Sequence, residues 1–119
     1  MLKEKLKEIL SNSNTKDLIE PLENFLEKLI EDLKPIKIII SGSLAKRKFV
    51  RGLSDIDILV IVDYEIPNDK RFLLTSLKNI DIEITIVSEY ELEKAIKENR
   101  EFYIDAIKNG IVVFSKINS

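Results

Sequence analysis

The segment over residues 58–62 constrains the fold of this chain more than any other part of it. It reads ILVIV, a continuous apolar run in which four of the five residues are β-branched. A strand with one solvated face alternates apolar and polar residues, whereas a continuous apolar run is typical of a strand covered on both faces. The segment therefore predicts a central strand of a sheet, which begins at the acidic residues Asp55 and Asp57 and covers residues 55–62.

Three further segments have the patterns of strands. The first is short and consists mostly of isoleucine, the second strictly alternates between the two faces of a sheet, and the third is a short apolar run close to the C-terminal end. A period of two places successive side chains on opposite faces of a sheet. We therefore predict strands over residues 36–40, 80–87 and 111–114.

Four other segments have apolar residues at intervals of three and four, the spacing of one face of a helix. Pro35 would end the second of these helices, and Asn14 or Thr15 would cap its start. The last helix is expected to break near Asn99. The helices are predicted over residues 2–10, 16–33, 70–78 and 89–109.

Helices that alternate with three or four strands predict an α+β fold, described equally well as a two-layer α/β sandwich, with a small mixed sheet packed on helices. The sequence contains no internal repeat, linker or low-complexity segment. We therefore expect one domain over residues 1–119, with N-terminal helices over 2–33 and a catalytic core over 36–115.

The chain contains neither cysteine nor histidine. Disulfides, thiolate metal sites and imidazole ligands are therefore excluded, which leaves oxygen ligands and hard cations. For the same reason, a general base in this chain must be a carboxylate, a lysine, a tyrosine or a backbone group.

Net charge is −2, so the strongly basic surface of a nucleic-acid-binding protein is missing, and we expect no specific nucleic acid as a partner. No apolar run approaches the ~20 residues that a membrane-spanning helix needs. The N-terminal segment MLKEKLKEIL is amphipathic and charged, unlike a secretory signal. We therefore expect a cytoplasmic protein that does not enter a membrane.

Charge is distributed unevenly around the middle of the chain. Residues 33–54 contain six basic residues and no acid, whereas residues 55–69 contain five acids and no base. Gly42 and Ser43 lie in the basic stretch, directly after the first predicted strand. Glycine lets a backbone approach a phosphate closely, and backbone amides together with a serine hydroxyl can cradle the anion. A basic loop that runs into a carboxylate-bearing strand is the arrangement that a polyphosphate and its metal ions need.

Asp55 and Asp57 lie two residues apart on the predicted central strand, so their side chains point to the same face. Their backbones are about 7 Å apart, and carboxylates at this spacing can lean together on one Mg²⁺. A third carboxylate on a neighbouring strand, about 4.8 Å away, would complete a second metal position. Residues 80–87 offer Asp81 and Glu83, both on one face, and the pattern by itself leaves open which of them contributes.

These elements together resemble the DNA polymerase β-type nucleotidyltransferase superfamily. The resemblance is carried by Gly42–Ser43, eleven intervening residues and Asp55-Ile56-Asp57, within the segments IKIIISGSLA and GLSDIDILVIV, followed by IDIEITIVSEYELEKAI. The sequence is most similar to the minimal nucleotidyltransferases, small prokaryotic proteins often encoded beside a HEPN-domain partner. The resemblance covers roughly residues 34–115.

The resemblance implies a nucleotidyltransferase fold in which Asp55 and Asp57 are catalytic residues that bind Mg²⁺, in a two-metal site. It also implies a third carboxylate that assists metal or base chemistry, and alignment of ITIVS with the end of the family's strand assigns this role to Glu83. Gly42 and Ser43 would hold the triphosphate of ATP or another nucleoside triphosphate.

The chain departs from the family directly after Gly42–Ser43. The family often has an arginine there, whereas this chain has Leu44. Lys46 or Arg47 would then contact the triphosphate instead. The family's third acid is usually aspartate, and the aligned residue here is Glu83.

The implied activity is transfer of a nucleoside monophosphate, AMP from ATP, to a hydroxyl with release of pyrophosphate. The expected acceptor is a HEPN-type toxin, which makes the protein an antitoxin whose partner is also its substrate. A protein partner is also favoured by the apolar surface of the N-terminal helix pair, which exceeds what so small a sheet needs. The sequence is equally compatible with a homo-oligomer.

Two other functions fit the same residues. The protein would be a catalytically weak nucleotide-binding module that neutralises a partner by binding, a function favoured by Leu44. Alternatively, it would be a small-molecule nucleotidyltransferase of the antibiotic-modifying type, although such enzymes usually carry an additional helical domain.

Each motif also has a purely structural interpretation. Gly42–Ser43 alone is typical of a plain turn after a strand, and the basic loop is typical of a solvated surface. Asp81 and Glu83 fit the solvated face of a half-exposed strand equally well. Asp55 and Asp57 are harder to explain in this way, because acids at the entry of a central strand need a reason.

Overall fold

The computed structural model describes residues 2–116, which form five α-helices and five β-strands. The helices are α1 (Leu2–Ile9), α2 (Ile19–Leu33), α3 (Gly42–Ala45), α4 (Glu89–Lys97) and α5 (Glu101–Asn109). The strands are β1 (Lys37–Ser41), β2 (Ile56–Val62), β3 (Phe72–Leu77), β4 (Ile80–Ser88) and β5 (Ile111–Ser115). Short 3₁₀ turns precede α2 and β3, at Lys16–Leu18 and Asn68–Lys70. No helix within residues 2–116 combines the length and the hydropathy needed to cross a bilayer.

The five strands form one mixed sheet in the order β3-β4-β2-β1-β5. β2 and β4 run parallel, and all other neighbouring strands are antiparallel. β2 lies in the middle, and residues 58–62 are all buried. The predictions of an α+β fold, a mixed sheet and a central strand over this segment are therefore confirmed.

Helices cover both faces of the sheet, whereas the sequence predicted two layers. On one face, α1 and α2 pack on strand residues that include Ile38, Ile58 and Val60. On the other face, α4 and α5 pack on Ile39 and Leu59. Successive side chains of a strand point to opposite faces, so a strand that is dehydrated on both of them must be apolar at every position.

The apolar residues of the two N-terminal helices belong to the core. Leu6, Leu22 and Leu26 are fully buried and pack in one cluster with the sheet. The apolar pattern of these helices is thus explained by packing within the chain. It no longer favours a protein partner.

The prediction of a helix over residues 70–78 is wrong, because this segment forms the edge strand β3. β3 pairs antiparallel with β4, from Phe72 opposite Thr85 to Leu77 opposite Ile80. The leucine spacing in FLLTSL imitates a helical turn, so periodicity does not separate the two structures over so short a segment. The sheet has five strands rather than three or four.

The turn between β3 and β4 explains why the chain forms a hairpin here. Only Lys78 and Asn79 separate the two strands, and their φ angles are 49° and 67°. Two consecutive left-handed residues are typical of the type I′ turn, whose twist matches that of the strands it joins. A right-handed helix cannot continue through such residues, so the segment ends as a strand.

The helical segment near the C-terminal end breaks as predicted. Asn99 takes a left-handed φ of 58° between α4 and α5. The predicted cap before the second helix is wrong, because α2 begins only at Ile19 and the Thr15 hydroxyl donates to the carbonyl of Asn12 instead.

Candidate active site

The turn after β1 brings its backbone against the neighbouring strand β2. Gly42 has a left-handed φ of 69°, and a side chain there would overlap the carboxylate of Asp57. Ser41, the preceding residue, pairs with Asp57 in the register of β1 and β2. Glycine is therefore favoured at this position by its φ angle, and a larger residue would also displace the Asp57 carboxylate.

Ser43 and Leu44 continue the chain in the short helix α3. Ser43 is half-buried, and its carbonyl accepts a hydrogen bond from the backbone of Lys48 at 2.8 Å. The Leu44 side chain is buried in the core that the N-terminal helices share with the sheet. The buried Leu44 side chain therefore anchors the turn to the core. A charged side chain in its place would lose its hydration at a large cost in free energy.

Asp55, Asp57, Asp81 and Glu83 lie where β2 and β4 begin, on the sheet face that α4 and α5 partly cover. Asp57 lies directly opposite Glu83 in the parallel register, in which neighbouring strands are about 4.8 Å apart. Asp55 immediately precedes β2, and Asp81 comes two residues before Glu83 on β4. Asp57 is half-buried, whereas the other three acids are exposed.

The electrostatics of this face are those of crowded carboxylates. Burial, and secondly the charge of Asp55, raises the pKa of Asp57. A hydrogen bond with Asp55 raises the pKa of Glu83, with further contributions from burial and from the charges of Asp57, Asp55 and Asp81. Within residues 2–116, none of the four acids forms an ion pair with lysine or arginine. The face therefore carries an excess of negative charge that a cation would offset.

The donor chemistry fits a hard divalent cation such as Mg²⁺, which prefers carboxylate oxygens. The Ser41 hydroxyl, on the same face as Asp57, is buried and has no hydrogen-bond partner in the described part of the chain. The side chains as placed do not yet form a ligand set, since no three acidic residues among residues 2–116 are arranged to hold one metal ion. Mg²⁺ usually binds through one or two protein carboxylates and keeps several waters, so Asp55, Asp57 and Glu83 are the residues that would hold it here.

The two cationic residues that the sequence suggested for the triphosphate point elsewhere. Lys46 Nζ lies 3.0 Å from the Asp105 carboxylate on α5. The Arg47 guanidinium donates to the carbonyl of Glu8 at the end of α1, at 3.4 Å. Both contacts are at least partly exposed and therefore weak, so they do not prevent either side chain from turning to an anion.

A groove of about 580 Å³ opens beside the acids and was not predicted from the sequence. Asp57 and Glu83 contribute to its lining, together with Phe72 and Leu74 of β3 and Phe102 of α5. These apolar side chains are exposed to different degrees: Phe72 is 69% exposed, Leu74 72% and Phe102 42%. The active-site face thus continues from an acidic region into an apolar one.

The sequence does not predict this groove, because the segment that forms its outer wall has the periodicity of a helix over residues 70–78. As a strand, the same segment places Leu74 directly opposite Glu83. The signal that could have found it is the pair Lys78–Asn79 between two apolar runs, since asparagine tolerates the left-handed conformation that a hairpin turn needs.

A larger groove, of about 850 Å³, lies at the opposite ends of β2 and β4. It is lined by residues such as Asp63, Ser88 and Arg71, and Arg71 forms an ion pair with Glu91 there. It includes none of the acids at the start of β2 and β4. The acids beside the Gly42 turn therefore mark the candidate site, although the groove there is the smaller of the two.

In this α+β protein, the Gly42 turn lies against Asp57, and Glu83 is opposite Asp57 on the adjacent strand. A glycine turn beside acids without ion pairs is typical of the class of proteins suited to cation-assisted phosphoryl transfer. The chain belongs to a particular family of that class. The sequence profile described as nucleotidyltransferase domain matches residues 22–118, from within α2 through all five strands. Proteins of this kind transfer a nucleoside monophosphate from a nucleoside triphosphate, and this is the general reaction of the domain. A search of curated proteins found no match.

Proposed function

We propose that the protein is a Mg²⁺-dependent nucleotidyltransferase that transfers AMP from ATP to a hydroxyl of a HEPN-type toxin and thereby acts as its antitoxin. The observation that carries the proposal is the contact of the Gly42 turn with Asp57, which lies opposite Glu83. A phosphate-binding turn and two carboxylates from adjacent strands are thus neighbours. The HEPN partner follows from the family resemblance alone.

In the proposed reaction, the acceptor oxygen forms a bond to the α-phosphorus of ATP, and the bond from that phosphorus to the oxygen bridging to the β-phosphate breaks. Pyrophosphate leaves, and the proton of the hydroxyl passes to a carboxylate. Gly42 and Ser43 hold the triphosphate, with Lys46 or Arg47 as the contributing cation. When bound, Mg²⁺ supplies positive charge that stabilises the transferring phosphoryl group.

The base in this reaction is Glu83. The chain has no histidine, and a carboxylate with an ordinary pKa of about 4 is a weak base at neutral pH. It is effective only where the acceptor hydroxyl is acidified by a neighbouring cation, so the base must lie beside the residues that hold the cation. Glu83 meets this condition because it is directly opposite Asp57.

Incubation of the protein with ATP, Mg²⁺ and the product of a neighbouring HEPN-type gene tests the proposal. We expect mass spectrometry to show the partner heavier by one AMP moiety. The double variant Asp55→Asn/Asp57→Asn should leave the partner unmodified, whereas Asp69→Asn, an exposed acid outside the site, should behave as the wild type. An unmodified partner with the wild-type protein would overturn the proposal.

One alternative is supported by a specific observation. Leu44 is buried, and Lys46 and Arg47 are engaged with other groups, so neither of the two expected cations can contact a triphosphate without first leaving its partner. Such a site favours a weak nucleotide-binding module that neutralises its partner by binding. A HEPN-type partner that co-purifies but never carries AMP would support this alternative.

A further inference from the structure

The groove beside the acids lies on a definite side of the active site. In the order β3-β4-β2-β1, the Gly42 turn extends from β1 and meets Asp57 from one side. Glu83 on β4 and Leu74 on β3 follow on the other side. The phosphate-binding turn and the apolar wall of the groove are therefore separated by the acids.

In-line phosphoryl transfer requires the entering and leaving oxygens to lie on opposite sides of the phosphorus. If pyrophosphate leaves towards Gly42 and Ser43, the acceptor must approach from the side of β4 and β3. Glu83 lies on that side and also lines the groove. The acceptor path and the groove therefore coincide.

The walls of the groove select the chemistry of the acceptor. Phe72, Leu74 and Phe102 expose apolar surface to water, and burying such surface is favourable by about 25 cal/mol per Å². β3 carries no charged side chain, so the outer wall of the groove is apolar, whereas Arg100 and Glu101 line the groove on the side of α5. An apolar cluster that continues into a functional site is typical of a surface that binds another molecule.

Building on the proposed function, we propose that this groove is the acceptor subsite and that Phe72, Leu74 and Phe102 determine acceptor specificity. The occupant is a polypeptide segment whose hydroxyl-bearing residue is flanked by apolar side chains. The hydroxyl points to Glu83 and the apolar neighbours cover the wall.

Two synthetic peptides test this inference. Each carries one tyrosine, flanked by leucine and valine in the first peptide and by glycine and serine in the second. With ATP and Mg²⁺, we expect wild-type kcat/KM for AMP transfer to be at least about tenfold higher for the apolar peptide, as two or more buried methyl-sized contacts allow. The variant Phe72→Thr/Leu74→Thr, which keeps β-forming residues in β3, should lose this preference without a change in the Kd for ATP.

Val112→Thr is the matched control, because Val112 is an exposed apolar residue on β5, the opposite edge strand. It should retain the preference. Equal rates for both peptides, or an unchanged preference in the Phe72→Thr/Leu74→Thr variant, would overturn the acceptor subsite.

Peptide binding, followed by NMR chemical shifts at Phe72, Leu74 and Phe102, separates this inference from the proposed function. Selective binding of the apolar peptide without any AMP transfer supports the groove and contradicts the enzyme. Transfer without selective shifts at these residues supports the enzyme and contradicts the groove. Absence of both contradicts both.

Discussion

At the scale of single residues, two glycines share a left-handed φ angle, but only one of them also lies against a residue of the candidate site. Comparing them distinguishes the effect of backbone strain from the effect of that contact. Gly42 and Gly52 have φ angles of 69° and 93°. A side chain at Gly42 would overlap the Asp57 carboxylate, whereas one at Gly52 would meet no atom within 4 Å. The difference between their alanine variants therefore measures what the close approach to Asp57 contributes.

We expect Gly52→Ala to lower the free energy of unfolding by about 1 kcal/mol, because alanine is strained at a positive φ. Gly42→Ala should lower it by about 2–3 kcal/mol, since it adds a displacement of Asp57 to the same strain, and it should abolish ATP binding. Denaturant titration and calorimetry with ATP measure the two effects. Equal losses in both variants, with ATP binding intact, would show that the contact is dispensable.

The two acids of β4 make a second residue-scale comparison. Glu83 lies opposite Asp57, whereas Asp81 lies two residues earlier, opposite Ser76 on β3. We expect Glu83→Gln to abolish AMP transfer while ATP still binds, because the side chain that accepts the proton is lost. Asp81→Asn should retain most of the activity. If Asp81→Asn is inactive and Glu83→Gln is active, the third carboxylate is Asp81 instead of Glu83. If both variants are active, proton transfer to a carboxylate of β4 is not part of the mechanism.

At the scale of elements, the local sequence pattern of β3 is typical of a helix, whereas the segment folds as a strand. Its leucines have helical spacing, yet Lys78 and Asn79 reverse the chain and pair the segment with β4. The consequence reaches the candidate site, since a helix here would not place Leu74 opposite Glu83. The turn therefore decides what forms the outer wall of the groove.

Substitutions at Asn79 distinguish a hairpin from a helix. In a type I′ turn, Asn79→Gly should leave stability unchanged or raise it by about 0.5 kcal/mol, because glycine accepts the left-handed conformation. Asn79→Val should lower stability by about 1–2 kcal/mol, because a β-branched residue is strained there. In a helix, glycine would be the more harmful of the two substitutions. Thermal unfolding of both variants gives the order directly.

At the scale of the whole molecule, two apolar clusters hold the sheet from its two faces, and the active-site acids belong to neither. We therefore expect the protein to fold without a metal ion. Asp57 and Glu83 lower the stability of the metal-free protein when they are ionised, because burial and neighbouring carboxylates raise the pKa of both in the folded state.

In EDTA at neutral pH, Asp57→Asn should keep the wild-type Tm or raise it by up to about 4 °C. The pKa of Asp57 is raised in the folded protein, so the cost of its charge is fully present above that pKa. The cost disappears as pH falls below the ordinary value of 3.8. The advantage of the variant should therefore shrink on acidification.

We expect Mg²⁺ to reverse this order in differential scanning calorimetry. It should raise the Tm of the wild type, because a ligand that binds only the folded state stabilises it, and it should have little effect on Asp57→Asn. A variant that melts below the wild type in EDTA would contradict the view that these carboxylates repel each other.

The sequence by itself determined the features that depend on local pattern. The apolar run over residues 58–62 indicated the central strand, since a strand dehydrated on both faces must be apolar at every position. The strands predicted over 36–40 and 80–87 correspond to β1 and β4, within a residue at each end. The sequence also predicted that the Gly42 turn is followed by a carboxylate-bearing strand, because this depends only on the order of the segments along the chain.

Only the tertiary structure decided the features that depend on pairing between distant segments. Spacing left Asp81 and Glu83 equivalent, and the register of β2 and β4 placed Glu83 opposite Asp57. Lys46 turned to Asp105 on a helix far along the chain, and β3 became a strand through its turn and its ladder to β4. The physical reason is that local propensity is worth only tenths of a kcal/mol per residue, up to about 1 kcal/mol, whereas a ladder of cross-strand pairs adds many such contributions at once.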